Sequence, residues 1–575
     1  MNKSKLKTIF SYLPLSIKMV CYSIYKALTL QKIYKSPDHF PLNLIENLDL
    51  PIFGKSSKVG FFYRHYQEKR ILYNFVPENL FNYKYEIIYA EHRNASKIID
   101  NIHTDSLVPV CLEEKNQSLI VKNNNSNQED ILKNIPEKRF HYFKVNNGES
   151  YKFSSDSSNG FLIGDPIALK QNKKNSKKLV LCIFVDGLAD ISQIDSFTED
   201  DLMPNSKKFF SKGVSFKNNF SNAEWTLPSV PSFFSGGRQQ FHGFYDPKSN
   251  HTIGKDFQIL SEIFHDNEYL TFQANGNWRV SPSYGYIKGF DRTIYKKEMN
   301  ISEVIHSFFE HLRTFSDRDN FVWLTLMDVH HLLNVIPDIS SQKNNSTSAH
   351  CVTPWHDDND DNKSVFLGYN KDLTEIYANE IKKVDFYLQN IYDYIDKNYS
   401  DDEFVVSLVS DHGHSFLTND PNPLSIARTK VPWMIRGGGI PCGDSFELTE
   451  NIDFFNSIIE CSGLKMNNNS SESMLPSILG GKENRDFVVS QSIYPGQTYK
   501  AIIRDKLFEY EFESANLISA SGKITGDLIF KRSRPLDGSI IIQDNPNEIS
   551  NYKKFIELKI SDWNISQLSR IKEPS

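Results

Sequence analysis

The chain has 575 residues, of which 39% are hydrophobic and 24% are charged, and its formal net charge is -6. A single hydrophobic core stops growing at about 250–300 residues, so this length predicts two or three domains of a soluble globular protein. No basic block dominates the sequence, which excludes nucleic acid as the main partner.

Residues 9–30 are the nearest approach to a membrane segment, but Pro14, Lys18 and Lys26 interrupt them. The stretch falls short of the about 18 apolar residues of a spanning helix and has no small-residue cleavage site. We expect an amphipathic helix packed on protein, with peripheral membrane contact as the alternative. The six scattered cysteines form no CxxC pair and are typical of a reducing compartment. These features predict a cytoplasmic location or one at the inner face of the membrane, with export left open.

Changes in residue pattern divide the chain into three predicted domains. Residues 1–175 form an N-terminal module of unknown function, and its second half is rich in short strand-like segments separated by turns. Residues 176–484 alternate apolar strands with helical patterns and form the predicted catalytic domain. Residues 485–575 contain strand-like segments followed by a helix, which predicts a small-sheet subdomain packed on the catalytic domain.

Three apolar runs of strand length in the catalytic domain are followed at once by acidic or imidazole side chains. The runs are 179–185, 321–327 and 404–409, and the residues after them include Asp186, Asp328, His330, His331, Asp411, His412 and His414. Continuous apolar runs are typical of buried parallel strands. Ligands in α/β folds bind beyond the carboxyl ends of such strands, so we expect one site built from three strand ends.

Helical patterns separate these strands. Apolar residues recur at three- and four-residue spacing in 302–315 and 372–398, and 203–212 has a proline in its first turn. Alternation of strands and helices over about 300 residues predicts an α/β fold with a doubly wound, mostly parallel sheet.

Thr226 lies in a stretch, 218–243, that reads as a turn entering a helix. Pro228 follows it closely, and an apolar segment then runs to Gly236. The unpaired N–H groups of a first helical turn favour an anionic ester beside the hydroxyl. A threonine hydroxyl is a poor nucleophile near neutral pH, so this hypothesis requires a group that removes its proton, most simply a divalent metal. The alternative is that Thr226 only caps the helix, as serine and threonine often do.

Asp186, Asp411 and His412 offer the carboxylate and imidazole ligands that suit a divalent cation. With Thr226 they would form a site in which the metal holds the threonine as an alkoxide and neutralises a substrate oxygen. Each residue alone is more often a turn, a cap or a satisfied polar group. The coincidence of three strand ends with the Thr226 turn favours the metal site.

Several further motifs occur in a fixed order around these residues. In chain order they are Val185-Asp186-Gly187, Met203-Pro204-Asn205, Gly213-Val214-Ser215-Phe216, the Thr226 turn, Gly276-Asn277-Trp278-Arg279, Gly289-Phe290-Asp291 and Ser410-Asp411-His412-Gly413. With this order the chain resembles the alkaline phosphatase and sulfatase superfamily over roughly 180–515. The resemblance implies an alkaline-phosphatase-like sheet, a small C-terminal sheet subdomain and a β-rich N-terminal module outside the family region.

The resemblance also implies roles for individual residues. Asp186, Asp411 and His412 would be metal ligands, and Thr226 would be both nucleophile and ligand. His331 or His330 would contact the transferred group or protonate the leaving oxygen. The residues matching the family's substrate-binding positions, or lying close to the site, are Asn277, Arg279, His242 and Arg428.

The nucleophile position departs from the sulfatases of this family. Sulfatases carry Cys or Ser that becomes formylglycine, with Pro two residues on and Arg four on, whereas this chain has Thr226, Pro228 and Val230. Threonine cannot become formylglycine. The threonine resembles that of the family's phosphodiesterases and phosphoethanolamine or phosphoglycerol transferases, which pass through a phosphothreonine. Gly187 also replaces an acidic ligand common in sulfatases.

The number of metals is left open by the same comparison. No histidine follows His414, although two-metal members use a further histidine well beyond the Asp-His-Gly motif. We therefore expect one divalent ion (Mn, Mg, Ca or Zn). A second metal held by Asp328, His331 and His414 is the alternative.

These inferences predict a metal-dependent phosphoester hydrolase or phosphotransferase that acts through a phosphothreonine intermediate. Its substrate would be a small-molecule or glycan-linked phosphoester, such as a phosphodiester in surface-polysaccharide biosynthesis. One alternative is a sulfatase that acts on sulfate esters. Another is a catalytically silent sulfatase-fold protein that binds a glycan. The sequence does not indicate an oligomeric state.

Overall fold

The structure is a computed structural model that describes most of the chain after residue 84. The described residues are 57–59, 85–112, 114–137, 139–158, 160–171, 175–246, 253–254, 257–281, 284–296, 298–330, 368–465, 472–536 and 545–572. They belong to two compact units, one made of residues 1–102 and 107–166 and the other of residues 103–106 and 167–575. The predicted amphipathic stretch 9–30 lies outside the described residues. None of the helices among the described residues is long and apolar enough to cross a membrane.

The first unit is built from short antiparallel strands. They are β1 (Ser57–Val59), β2 (Tyr85–Arg93), β3 (Ser96–Ile99), β4 (Ser106–Leu112), β5 (Leu119–Asn123), β6 (Glu129–Leu132), β7 (Phe140–Val145), β8 (Tyr151–Ser155) and β9 (Phe161–Gly164). One sheet pairs β9 with β2 and β4, and the other has the order β3-β8-β5-β6. Val108, Leu119, Phe153 and Phe161 are fully buried in the core of this unit.

The second unit contains a large sheet with the strand order β15-β14-β16-β11-β17-β18-β12-β19. Its strands, with the neighbouring short ones, are β10 (Ile167–Ala168), β11 (Leu179–Val185), β12 (Val214–Phe216), β13 (Asn219–Phe220), β14 (Leu270–Asn275), β15 (Arg292–Tyr295), β16 (Asn320–Leu326), β17 (Phe404–Val409), β18 (Trp433–Gly437), β19 (Gly443–Ser445) and β20 (Thr449–Glu450). The five strands from β15 to β17 run parallel, whereas β18 is antiparallel to both its neighbours. The predicted mostly parallel sheet is confirmed.

Helices between the strands supply the apolar cover that this sheet needs. They are α1 (Glu199–Leu202), α2 (Pro204–Phe210), α3 (Thr226–Ser235), α4 (Gln239–His242), α5 (Leu260–Asp266), α6 (Ile301–Thr314), α7 (Lys371–Asn398), α8 (Ile426–Thr429) and α9 (Asp453–Cys461). Asn300 and Asn370 cap α6 and α7, because each side-chain oxygen accepts a bond from a first-turn N–H group at 3.0 Å. Every residue of β11, β16 and β17 is buried, which explains why these strands are mostly apolar, with Thr325 and Ser407 as interior exceptions.

The chain ends in a small antiparallel sheet covered by a long helix. Its strands are β21 (Val488–Ser492), β22 (Thr498–Arg504), β23 (Phe508–Leu517) and β24 (Leu528–Pro535), and the helix is α10 (Pro546–Lys572). Tyr499, Phe512 and Trp563 are fully buried where the helix packs on the sheet. The small C-terminal sheet expected from the sequence is confirmed.

A buried ion pair joins the segment after α3 to the strand that precedes α9. The Arg238 guanidinium donates to Glu450 Oε2 at 2.7 Å and also lies 3.0 Å from Glu472. Burial raises the pKa of Glu450, but Arg238 and Arg485 more than offset it and hold that pKa below its usual value. The pair is therefore ionised in an almost dry site, where removing one partner is costly.

We expect Arg238→Met to lower the free energy of unfolding by about 3–5 kcal/mol, because it leaves the Glu450 charge buried without its partner. Urea denaturation followed by circular dichroism would measure this. The control is Lys207→Met, because the Lys207–Asp200 pair has side chains that are 45% and 72% exposed. That change should leave the unfolding midpoint close to that of the wild type, because an ion pair surrounded by water contributes little to stability. Equal effects of the two substitutions would contradict the prediction.

Candidate active site

The registers of three neighbouring strands bring their carboxyl ends to one place. Strand β11 lies between β16 and β17, with Val185 opposite Leu326 and Phe184 opposite Val409. The residues that follow β11 and β17 therefore emerge beside each other at one edge of the sheet. Asp186 and Asp411, which follow these two strands, are both completely buried.

Thr226 meets these two carboxylates from the start of α3. It is the first residue of the helix, because Trp225 before it has an extended backbone. The Thr226 hydroxyl lies 3.5 Å from both carboxylate oxygens of Asp186 and 3.3 Å from Nε2 of His412. The Thr226 side chain thus enters the site with the unpaired N–H groups of a ten-residue helix behind it.

The Asp411-His412 turn presents two further donor atoms. Asp411 Oδ1 accepts bonds from the backbone N–H groups of Gly187 (3.1 Å) and His412 (3.0 Å), while Oδ2 is buried without a hydrogen-bond partner among the described residues. His412 Nδ1 lies 2.9 Å from the Gly413 carbonyl oxygen. A carbonyl only accepts, so Nδ1 carries the proton and the Nε2 lone pair faces the carboxylates.

The charges and pKa values of the buried side chains favour the binding of a cation at this site. Burial raises the pKa of Asp186 well above its usual value, and the nearby Asp411 raises it further. Burial raises the pKa of Asp411 to about 7, and burial, aided by Arg428, lowers the pKa of His412 far below the usual range. Two buried carboxylates beside a neutral imidazole are stable when a positive charge joins them.

The donor atoms fit a divalent metal ion. Asp186, His330 and His412 each offer a ligand atom, and these atoms lie within 4.8 Å of one another. The unpartnered Oδ2 of Asp411 and the lone pair of His412 Nε2 are the kinds of atom such an ion would bind. Asp186, Thr226, Asp411 and His412, the predicted ligands, are thus brought together.

The remaining histidines of the predicted site occupy different positions. His330 is partly exposed, and its Nε2 lies 3.6 Å from Asp186 Oδ1. His414 stacks on Phe416 with ring centroids 4.7 Å apart, and its Nε2 lies 3.2 Å from the Val329 carbonyl oxygen. His331 lies outside the described residues.

Asp328 is engaged by protein groups. Its Oδ2 accepts from the Ile301 N–H at the start of α6 at 2.9 Å, and its Oδ1 lies 3.1 Å from Nζ of Lys383. A second metal ion at this carboxylate would compete with the lysine. The second site of Asp328, His331 and His414 therefore stays a prediction.

Two of the predicted substrate-binding residues lie close to Asp186 and to the start of α3. Asn277 is buried and donates a hydrogen bond from Nδ2 to Asp186 Oδ2, and its own Oδ1 accepts from the Arg279 N–H at 2.7 Å. The Arg279 guanidinium lies 5.6 Å from the centre of the Trp225 ring. Asn277 thus orients a metal-site carboxylate, while the charge of Arg279 lowers the pKa of Asp186.

Arg428 and His242 are both buried. Arg428 donates from Nη2 to the Glu224 carbonyl oxygen, two residues before Thr226. Burial lowers the pKa of Arg428 to about 10, so this side chain keeps its positive charge at neutral pH. His242 accepts a bond at Nδ1 from the Phe244 N–H at 3.1 Å, which gives it a local structural contact.

Sequence reasoning missed two residues of this region. Glu224 is buried, and its Oε1 accepts a hydrogen bond from Ser492 at 2.6 Å, which connects the turn before Thr226 to β21. Its acidic character two residues before Thr226 was an available signal. Tyr377, on α7, hydrogen-bonds the turn that follows Asp186. Nothing in the sequence around Tyr377 indicates this contact.

Comparison with known proteins agrees with this architecture. Residues 178–464 match the family model described as Sulfatase. No curated protein matches the chain. A protein solved with its substrate D-glucosamine-2-N,6-O-disulfate shares the fold, with a TM-score of 0.50 and 13% identity over 70% of this chain and 99% of the other.

Two other solved structures are similar at lower TM-scores. A phosphonate monoester hydrolase from Silicibacter pomeroyi has a TM-score of 0.49 and 14% identity, covering 67% of this chain and 96% of the other. A putative sulfatase from Bacteroides thetaiotaomicron has a TM-score of 0.49 and 14% identity, covering 70% and 95%.

Gly187 has no room for a side chain. Its φ is +78°, and a Cβ built there would lie 2.9 Å from Nε2 of His414. We expect Gly187→Ala to weaken Mn²⁺ binding by at least about tenfold, because it displaces the turn that carries Asp186. Isothermal titration of the metal-free protein would measure this affinity.

The control is Gly439→Ala, at φ +83° with no atom within 4 Å of a Cβ. Both changes should cost about 1–2 kcal/mol of stability from backbone strain, but only Gly187→Ala should change metal affinity. Wild-type affinity in Gly187→Ala would show that the turn tolerates displacement.

Proposed function

The chain belongs, through residues 178–464, to the alkaline phosphatase/sulfatase superfamily as a sulfatase-family hydrolase, and we propose that it attacks a phosphoester with Thr226. The observation that carries the proposal is the Thr226 hydroxyl, which is 1% exposed and lies 3.3–3.5 Å from His412 Nε2 and both Asp186 oxygens. A hydroxyl held among metal-ligand atoms at a helix start has the surroundings of an activated nucleophile.

Members of this superfamily use a divalent metal ion, and Asp186, Thr226, Asp411 and His412 are the residues that would hold it. When bound, such an ion lowers the pKa of the threonine hydroxyl and neutralises negative charge on the substrate. The Nδ1 proton of His412, fixed by the Gly413 carbonyl oxygen, keeps Nε2 available as a ligand.

The reaction divides into two displacements at phosphorus. In the first, Thr226 Oγ1 loses its proton to solvent and forms a bond to phosphorus while the bond to the leaving oxygen breaks, and protonated His330 donates a proton to that oxygen. The partly exposed position of His330 at the rim of the site supports this role, which His331 would fill as the alternative. In the second, water or an acceptor hydroxyl gives a proton to His330 and forms a bond to phosphorus, while the bond from phosphorus to Thr226 Oγ1 breaks and the freed oxygen takes up a proton from solvent.

Positive groups of the chain favour an anionic phosphoryl group beside Thr226. The N–H groups at the start of α3 face it, and the guanidinium of Arg279 lies close enough to Asp186 to lower its pKa. Arg428 adds a buried positive charge near Asp411. An arginine also suits bidentate contact with a phosphate.

Phosphoester chemistry accounts for the nucleophile better than sulfate-ester chemistry. Threonine cannot become formylglycine, and Val230 stands where sulfatases carry an arginine. A sulfuric ester hydrolase is the second candidate, and the family model favours it. We propose that the substrate is a surface-glycan-related phosphodiester, since a protein of the same fold was solved with a sugar substrate.

A catalytically silent glycan-binding protein is the remaining alternative. It would have no need to keep two buried carboxylates, a neutral histidine and a threonine hydroxyl in mutual contact. Metal content separates the alternatives, because a silent scaffold would purify without stoichiometric divalent metal.

We expect metal-dependent hydrolysis of bis-p-nitrophenyl phosphate that exceeds hydrolysis of p-nitrophenyl sulfate. Thr226→Val should reduce the phosphodiester rate by about 10³-fold or more, because it removes the nucleophile while keeping the side-chain shape. EDTA should abolish activity, and Mn²⁺, Mg²⁺ or Zn²⁺ should restore it. Mass spectrometry of the acid-quenched reaction should detect phosphate on Thr226.

The control is Thr271→Val, since Thr271 is a buried threonine whose hydroxyl also donates to a carboxylate, Asp291, at 2.8 Å. It should retain wild-type turnover. Phosphodiester cleavage that survives Thr226→Val would overturn the nucleophile assignment. Faster cleavage of the sulfate ester would favour the sulfatase, and inactivity on both esters without bound metal would favour the silent scaffold.

A further inference from the structure

Backbone N–H groups of the turn from Asp186 to Ala189 donate hydrogen bonds to strand β16 on one side and to the Ser410–Asp411 turn on the other. The Asp186 N–H donates to the Leu326 carbonyl oxygen at 2.9 Å, which continues the pairing of β11 with β16. The Gly187 N–H donates to Asp411 Oδ1 at 3.1 Å, and the Leu188 N–H donates to Ser410 Oγ at 2.9 Å. The turn carrying Asp186 is therefore joined directly to the turn carrying Asp411.

Tyr377 satisfies two further backbone groups of the turn. Its hydroxyl donates to the Gly187 carbonyl oxygen at 2.7 Å and accepts from the Ala189 N–H at 2.8 Å. A single hydroxyl thus spans three residues of the turn. Burial raises the pKa of Tyr377 above its usual value, so the phenol stays protonated and able to donate.

The ring of Tyr377 is also buried and in contact with other side chains. Tyr377 is 0% exposed, and its ring packs edge-on against His414 and Phe416, with centroids 5.1 and 5.7 Å away. It belongs to α7, a 28-residue helix that packs on the large sheet. The hydroxyl is therefore held in place by a rigid element outside the site.

We infer that Tyr377 is a positioning residue for the metal site: its hydroxyl fixes the turn that aims Asp186 at the ion. The inference rests on the proposed metal-dependent function. Residues that orient metal ligands without touching the metal typically change affinity by about 10- to 100-fold when substituted. The same hydroxyl links α7 to the site, so the helix position and the orientation of Asp186 are coupled.

The test compares two tyrosines of the same helix. Tyr377→Phe removes only the hydroxyl, and Tyr392→Phe is the matched control, because Tyr392 is also buried and its hydroxyl lies 2.9 Å from Ser206 Oγ, away from the site. The metal-free full chain would be titrated with Mn²⁺ and with Zn²⁺ by calorimetry. The melting temperature of each metal-free variant would be measured alongside.

We expect Tyr377→Phe to raise the Kd for the metal by about 10- to 100-fold, whereas Tyr392→Phe keeps the wild-type Kd. Both variants should lower the melting temperature of the metal-free protein, Tyr377→Phe by the larger amount, since its hydroxyl makes two buried hydrogen bonds and that of Tyr392 makes one. Activity of Tyr377→Phe should recover at saturating metal, because the hydroxyl touches no reacting atom.

Three results would overturn the inference. The first is a Tyr377→Phe variant that binds the metal as tightly as the unmodified protein does. If the unmodified protein also cleaves the phosphodiester, this result would reject the positioning role and leave the proposed function intact. Wild-type protein that binds neither ion would reject the metal site itself, and the inference with it. An equal loss of affinity in Tyr392→Phe would reassign the effect to general loosening of α7.

Discussion

Asp186 and Asp411 lie close together out of contact with water, and the cost of burying two neighbouring carboxylates is the constraint on which the rest of this site depends. Burial raises the pKa of both, and the charge of Asp411 adds to the shift in Asp186. Such a pair is stable only with protons or with a cation between them. Hydrogen bonds from the Asn277 amide and the Gly187 N–H offset part of the free energy needed to bury these charges. The rest can be offset by a positive charge bound beside the carboxylates.

The parallel sheet is what brings this pair together, and it is also what the sequence predicted best. A buried parallel strand needs mostly apolar side chains on both faces, so β11, β16 and β17 stand out as predominantly apolar runs. Once such strands are neighbours in register, the residues after them must emerge at one edge. The apolar runs in the sequence therefore predict both the strands and the edge of the sheet at which the strands end. This is why the location of the site could be predicted from the sequence.

The orientation of the site residues could not be predicted in this way. Asn277 was expected to bind substrate, and its position in a motif agrees with either role, but its amide contacts Asp186. Arg428 donates a hydrogen bond to the carbonyl oxygen of Glu224, which is 204 residues earlier in the chain. Tyr377 accepts a hydrogen bond from Ala189, which is 188 residues earlier. These contacts depend on how helices dock on the sheet, which hydrophobic periodicity does not record.

Gly187 shows how one missing side chain changes the chemistry of the site. Sulfatases commonly carry an acidic ligand at this position. Here a Cβ would lie 2.9 Å from Nε2 of His414 and 3.4 Å from Cδ2 of His330, so two imidazoles occupy the neighbouring space. A carboxylate at this position would have to displace both rings, so the site keeps the two buried carboxylates Asp186 and Asp411 with a glycine between them and the imidazoles. Two carboxylates place less negative charge beside Thr226 than three would, which lowers the electrostatic cost of bringing an anion close to its hydroxyl.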